Sequence, residues 1–403
     1  MPRFMAADPM QSYSQSPTDQ DFVQNPYRFY DRTRAGGPLF YWQDYDLICA
    51  SSAVTVGAIL RDRRFGRETP PEKRRPVPEH LRPFYAVEAH SMLELEPPRH
   101  TRLRSLVLRA FTSRRIAELG PEIASLSHGL IDAFPAGEFD LIRAFAQKLP
   151  VIIIARLLGV PEDRADDLLS WSNAMVGMYQ ASRTRQTEDR AVAATEAFVG
   201  FMRSYVDERR NRPADDLITH LIAAEEEGER LSTDELITTC ILLLNAGHEA
   251  TVHTIGNGVK ALLENGCDAS VLQEQAVAAT VEEILRHDPA LHLFTRWAYE
   301  DIEIGGHLFR RGDKVGCLLA AANRDPGLWH RPDRFDPARP PKAGYTFGGG
   351  LHFCVGAPLA RLELQTALPI LFGRCPDLRI ATQPRYANLF HFHGLEKLPV
   401  RTG

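Results

Sequence analysis

Apolar positions along this chain recur mostly at helical spacing, and proline and glycine break the recurrence into segments short enough to be single elements. Between Ser113 and Asp234 nearly everything reads as amphipathic helix, interrupted at Pro135-Ala136-Gly137, Gly159-Val160-Pro161 and Arg212-Pro213. At Leu231-Ser232-Thr233-Asp234-Glu235 the serine and glutamate are spaced as a capping box, and a proline-free helix is predicted from there to about Asn265. Its first half is apolar nearly all round, which demands burial. Shorter helices are predicted from Asn25-Pro26, over Ser52 to Leu60, and from Glu96-Pro97-Pro98 to about Phe111. Leu39 to Trp42 and Tyr45 to Cys49 predict a hairpin around Gln43-Asp44. Further strands are expected at Leu291 to Trp297, Ile302 to Ile304, Lys314 to Leu319, Leu389 to Phe392 and Leu398 to Val400. From Arg67 to Leu93, with five prolines, the chain reads as one long irregular loop, a length typical of lids and ligand walls. Residues 1–20, rich in Ser, Gln, Asp and Pro, read as a flexible tail, and 21–403 as a single domain. The fold class is mainly α with a smaller β-rich part, α+β.

Composition adds few constraints. Of 403 residues, 44% are hydrophobic and 25% charged, as in a globular protein, and a net charge of −5 gives no reason to expect a nucleic-acid partner. Cysteines at 49, 240, 267, 317, 354 and 375 form no CxxC pair and no dense framework, so a reducing cytoplasm is expected and disulfides are not. No segment offers about 18 uninterrupted apolar residues, and Met1 to Gln20 has no apolar core of a signal sequence, so no membrane anchor is expected.

Chemistry concentrates in Phe347-Gly348-Gly349-Gly350-Leu351-His352-Phe353-Cys354-Val355-Gly356-Ala357-Pro358. Three glycines allow a tight bend and close approach to a flat ligand, while Gly356 and Pro358 sit where a helix would begin. Cys354 is thereby offered at a helix N-terminus, where the dipole favours the thiolate that binds metal. With no second sulfur at zinc spacing, a cysteine acting alone points to iron already held by a porphyrin. A second candidate is Asn245-Ala246-Gly247-His248-Glu249-Ala250-Thr251, because a glycine and an acid inside a buried helix are costly without a function. His100 and Arg104, spaced i,i+4, share a helical face. Glu283 and Arg286, spaced i,i+3, can pair on another.

Together these segments resemble the cytochrome P450 family, and the resemblance spans about Asn25 to Val400. It implies a triangular helical fold with the long helix lying over haem b, iron protoporphyrin IX, ligated by Cys354. His100, Arg104, Arg296 and His352 match the family's propionate contacts, and Ala246, Phe347, Gly348 and Gly356 its other haem contacts. Ala246 and Gly247 would make room for O2 and substrate, and Glu249 would be the acid of a proton relay. Where most relatives place a threonine after that acid, this chain has Ala250; Thr251 follows, turned by about 100° on the helix, and is not expected to present its hydroxyl at the same point. Glu283 and Arg286, joined by Arg334 of Pro332-Asp333-Arg334-Phe335, match a structural ion-pair network. Matching pocket positions gives Phe84, Met92, Leu93, Met175, Leu242, Asn245, Leu293, Phe294 and Phe392, with His292 and His391 close by.

The resemblance implies a monooxygenase that activates O2 and hydroxylates a medium-sized, largely hydrophobic small molecule carrying a polar group. No Gly-rich dinucleotide motif follows a strand and no Cys cluster suits iron–sulfur, so electrons are expected from a separate ferredoxin and its NAD(P)H-dependent ferredoxin reductase. Arg102, Arg109, Arg114, Arg115 and Arg361 could form a basic face for that carrier, and a monomer is expected. Two alternatives stand at this stage: a peroxide-using haem-thiolate enzyme, against which Glu249 argues, and a haem sensor without catalysis.

Overall fold

The computed structural model describes residues 10–226 and 229–403. Its axis is the helix Thr233–Glu264, whose 32 residues run about 48 Å at 1.5 Å per residue. The capping box forms: Ser232 Oγ accepts from the Glu235 amide at 3.2 Å, and the Ser232 amide donates to Glu235 Oε2 at 2.8 Å. Leu236, Leu243, Val252, His253, Ile255 and Asn257 are buried on different sides of this helix. Burial all round is possible because Lys148–Leu158, Ala165–Val176, Arg185–Asn211 and Val277–His287 pack against it.

The amphipathic stretch resolves into the helices Ser113–Glu118, Gly120–Asp132, Lys148–Leu158, Ala165–Val176, Arg185–Asn211 and Leu217–Ala223. Lys148–Leu158 ends at Gly159, which takes a left-handed φ of 81° that a side chain would strain.

Most β structure gathers in a six-stranded sheet ordered Ser12–Tyr13, Leu39–Trp42, Leu47–Ala50, Lys314–Leu318, Leu293–Ala298, Phe65–Gly66. The expected hairpin pairs Leu39 with Ala50 and Trp42 with Leu47. Antiparallel pairing sets Arg296 opposite Val315 and Phe294 opposite Cys317. Residues 294 and 296 therefore point the same way, toward the site described below.

Three expectations need correction. Residues 1–9 of the expected tail lie outside the described residues, but the remainder is fixed. Ser12 and Tyr13 pair in parallel with Tyr41 and Trp42, and the Trp42 indole donates to the Gln15 carbonyl at 2.7 Å. Polar composition concealed this, because the strand is held by backbone pairing. The loop from Arg67 to Leu93 contains a helix, Arg82–Glu88, with Pro83 in its first turn, a position proline favours. Leu389 to Phe392 is not a strand; it keeps a single bridge, Leu291 to Phe392.

Candidate active site

The helix Ala357–Arg374 starts directly after the glycine loop, and Cys354 stands just before it, with its amide bonded to the Phe347 carbonyl at 3.1 Å. Gly348 and Gly350 have φ of 71° and 67°, and a Cβ at Gly350 would lie 2.2 Å from the Leu60 carbonyl oxygen. Only glycine satisfies both conditions there. The bend presents Cys354 to a cavity of about 1920 Å³ lined also by Phe347, Val355 and Gly356. Ordinary ligand sites occupy about 300–1,000 Å³, so this space holds more than one small molecule. Gly348 does not line it and acts through the bend.

Burial raises the Cys354 thiol pKa. The Gly356 and Ala357 amides and the charges of Arg104 and Arg361 lower it, as the helix terminus predicts, but burial outweighs them. The helix end thus acts in the expected direction, toward the thiolate, and a metal cation on the sulfur would add to it.

One side of the cavity is cationic. His100, Arg104, Arg296 and His352 all line it, as expected, together with Arg67, which sequence reasoning missed. Arg296 is 2% exposed and donates only to the Thr295 carbonyl at 2.9 Å; burial, with repulsion from Arg67, pulls its pKa down to about 10. Burial, with His352 and Arg104 nearby, lowers His100 to about 4, and its buried Nδ1 has no partner. The rings of His100 and His352 lie 4.4 Å apart, and burial lowers His352 although its Nε2 sits 2.8 Å from Glu96 Oε1. Arg104 donates to the Phe353 carbonyl at 2.7 Å. Repelling cations and an orphaned nitrogen, beside a lone cysteine and a glycine bend, fit a flat group bearing two carboxylates. Haem b meets that description, with Cys354 toward its metal and these cations toward its propionates.

The long helix supplies another wall through Leu242, Asn245, Ala246, Gly247, Ala250 and Thr251. Ala246 faces the cavity, but Gly247 has a second reason to be small: a Cβ there would meet Ile154 Cγ1 at 3.1 Å, where two helices cross. Thr251 lines the cavity beside Ala250, so one helical step does not remove it from the wall; its hydroxyl donates to the Gly247 carbonyl at 3.3 Å. Glu249 is not among the lining residues. Its carboxylate lies between His248 Nε2 at 3.3 Å and His253 Nε2 at 3.5 Å. Burial acts to raise Glu249, but the two imidazoles beside it hold it well below the usual carboxylate range.

Of the expected pocket residues, Phe84, Met92, Leu93, Leu242, Asn245, Leu293, Phe294 and Phe392 line the cavity. Met175 does not: it is 2% exposed and packs behind Asn245, whose Nδ2 is 3.7 Å from its sulfur, while Met178 and Tyr179 reach the wall. A turn of 3-10 helix at Gly177–Tyr179 changes which residues face inward. His391 lines the cavity and His292 does not. Sequence reasoning also missed Glu88 and Glu94 on this wall; acids set among Phe84, Met92 and Leu93 were the available signal.

Arg286 holds Glu283 through two bonds, at 2.7 and 2.8 Å, with both side chains buried. The third member is not Arg334. That side chain is exposed and only its carbonyl takes part; Arg339, from the turn after Asp336, reaches Glu283 Oε2 at 3.0 Å. The arginines expected to form a carrier face are already engaged: Arg102 with Glu235, Arg114 with Glu118, Arg115 with Asp215 and Arg361 with Glu282. Among the described residues no helix is long and apolar enough to cross a membrane.

Comparison with known proteins agrees with this geometry. Residues 275–376 match the family model for Cytochrome P450. The chain is 42% identical to cytochrome P450 107B1 of Saccharopolyspora erythraea over 77% of each protein. It is 35% identical to the biotin biosynthesis cytochrome P450 of Bacillus subtilis over 96% of this chain and 98% of that protein. The solved structure of P450BioI in complex with an acyl carrier protein ligated to hexadec-9Z-enoic acid superimposes with a TM-score of 0.89 at 34% identity, covering 96% of this chain and all of that one. A cysteine-floored cavity, a propionate-ready cluster and similarity to such relatives over nearly the whole chain lead to one conclusion: the chain belongs to the cytochrome P450 family of haem b-dependent, thiolate-ligated monooxygenases.

Proposed function

We propose that this enzyme, acting as a single catalytic domain and a cytoplasmic monomer, hydroxylates a medium-sized, largely hydrophobic molecule bearing a polar group. Electrons come from a separate ferredoxin and its NAD(P)H-dependent reductase. The observation that carries the substrate reading is the wall itself, where Phe84, Met92, Leu93, Leu242, Leu293, Phe294 and Phe392 surround the single amide of Asn245. Those side chains exclude water and hold an apolar body. Asn245 Oδ1 is buried without a partner, a cost that turning the amide toward a donor on the ligand would relieve.

Haem, when bound, supplies O2 activation and the oxidising power for insertion into a C–H bond. The chain's residues do the rest. Cys354 holds the metal, and His100, Arg104, Arg296 and His352 hold the propionates. Glu249, kept ionised between His248 and His253, relays protons toward the cavity through water, since its own oxygens lie outside the lining. Ala250 provides no hydroxyl to help, and Thr251 has spent its proton on Gly247. A polar group of the correct substrate completes the path.

The experiment is turnover with a surrogate ferredoxin and reductase across a small-molecule library, monitored by NAD(P)H consumption and product. Oxygenated product requiring both proteins supports the reading. Equal turnover with peroxide and no carrier would replace it with the peroxide-using alternative.

A further inference from the structure

We infer that the cavity contains an amine-recognition subsite, in which the Glu88 carboxylate, oriented by the Tyr179 hydroxyl, takes a cationic nitrogen of the substrate. This rests on the cavity being the substrate pocket of a haem-thiolate enzyme. Glu88, Glu94, Arg67 and Tyr179 line one continuous part of the wall. Glu94 is neutralised there, because Arg67 Nη2 sits 2.5 Å from its Oε1. Glu88 is not. Its Oε2 accepts from Tyr179 Oη at 2.9 Å, which supplies a hydrogen bond but no charge. Among the described residues no lysine or arginine forms an ion pair with Glu88, and nearby Arg183 is committed to Glu188 at 2.8 Å.

Beside the Glu94–Arg67 pair, Glu88 faces the cavity with a hydrogen-bond donor but no cation bonded to it. Burial and the charge of Glu94 push Glu88 up to about 7, so a cation bound against it would favour its ionised form. A substrate ammonium would restore the balance. The surroundings suit one: Tyr179 stacks on His391 with centroids 5.9 Å apart and meets Phe84 edge-on at 6.5 Å, so an aromatic surface is fixed beside the carboxylate. Alkylammonium groups are favoured by an anion together with aromatic faces. The plainer reading is a latch, in which the Glu88–Tyr179 bond only ties the helix Arg82–Glu88 to the turn Gly177–Tyr179. A latch makes no distinction between charged and neutral ligands.

The test uses the haem-loaded full chain and calorimetric binding of decyltrimethylammonium, which has no lone pair to offer iron, against decanol. Wild type is expected to bind the cation more tightly than decanol. Glu88→Gln, which keeps the bond from Tyr179, should weaken the cation about tenfold and leave decanol nearly unchanged. Glu88→Asp should keep most of the preference. No cation preference in wild type, or the same preference in Glu88→Gln, overturns the subsite. Reduced, CO-bound spectra of the same samples separate the two levels: a thiolate spectrum with no cation preference sinks the subsite alone, whereas absence of that spectrum sinks the underlying reading as well.

Discussion

Arg339 donates its Nε–H to Glu283 Oε2 at 3.0 Å, onto the oxygen that Arg286 Nε reaches at 2.7 Å. One buried carboxylate therefore carries two guanidinium groups. Arg286 also donates to the carbonyls of Asn323, Pro332 and Arg334, so it ties its own helix to two further segments. Removing Arg286 leaves Glu283 partly uncompensated, a change of about 3–5 kcal/mol for a buried pair. Arg339→Ala should cost less, about 1–3 kcal/mol, and Arg334→Ala within about 0.5 kcal/mol of nothing. Denaturant unfolding of the three haem-loaded variants checks the order; an Arg334→Ala loss as large as that of Arg339→Ala would contradict it.

The difference between Arg334 and Arg339 shows where sequence reading stops. Helices with strong periodicity and caps, such as Thr233–Glu264, were legible because local rules and burial agree there. So were Cys354 and the basic residues His100, Arg104, Arg296 and His352, each set by a local motif. Choices made by tertiary reach were not: which of two nearby arginines turns inward, whether Met175 or Met178 faces the cavity, and what holds Ser12–Tyr13. Glu249 was found, yet its histidine partners were not expected, since i,i+4 spacing to His253 becomes informative only once that face is known to be buried.

A buried polar hub predicts acid sensitivity. Asp288 accepts the hydroxyls of Tyr27, at 2.6 Å, and Tyr386, while His393 Nε2 lies 3.5 Å from it and His292 Nδ1 is 2.8 Å from Tyr30 Oη. Burial holds His292 well below its ordinary value and lowers His393 to about 3. An unfolded chain takes up those protons below pH ~6.5 and the folded one does not, so stability is present above that pH and lost as pH falls toward 3. Each histidine contributes a slope of up to ~1.4 kcal/mol per pH unit. His393→Asn should flatten the decline between pH 6 and 5 in denaturant titrations; an unchanged slope would show that His393 is protonated in the fold.

Glu363 predicts the opposite sign. It is 1% exposed, neither oxygen has a partner, and burial pushes its pKa up to about 8. The folded state keeps a proton that the unfolded chain releases above pH ~4.3, so this contribution is complete at low pH and shrinks as pH rises to about 8. Glu363→Gln should gain on wild type steadily between pH 5 and 8, by up to ~1.4 kcal/mol per unit. A pH-independent difference between the two proteins would rule this out.

Proton delivery is tested at Ala250. With Thr251 bonded to Gly247 and Thr254 Oγ1 to the Ala250 carbonyl at 2.7 Å, neither neighbour has a free hydroxyl proton. Wild type should form less product per NAD(P)H with an analogue lacking the substrate's polar group, and Ala250→Thr should restore part of that yield. Equal yields from both ligands in wild type would assign the missing hydroxyl to the protein, with Thr251 the first candidate.

Cys354 as the sole thiolate on haem iron is the claim on which the rest depends. The amides of Gly356 and Ala357 and the charges of Arg104 and Arg361 favour its thiolate against desolvation, and a metal cation would favour it further. The direct measurement is the absorption spectrum of the reduced, CO-bound protein, wild type beside Cys354→Ser. Wild type should give the thiolate-ligated spectrum, and Cys354→Ser should lose it together with oxygenation while keeping the helical fold by circular dichroism. A thiolate spectrum that survives in Cys354→Ser would place the ligand elsewhere and contradict the account.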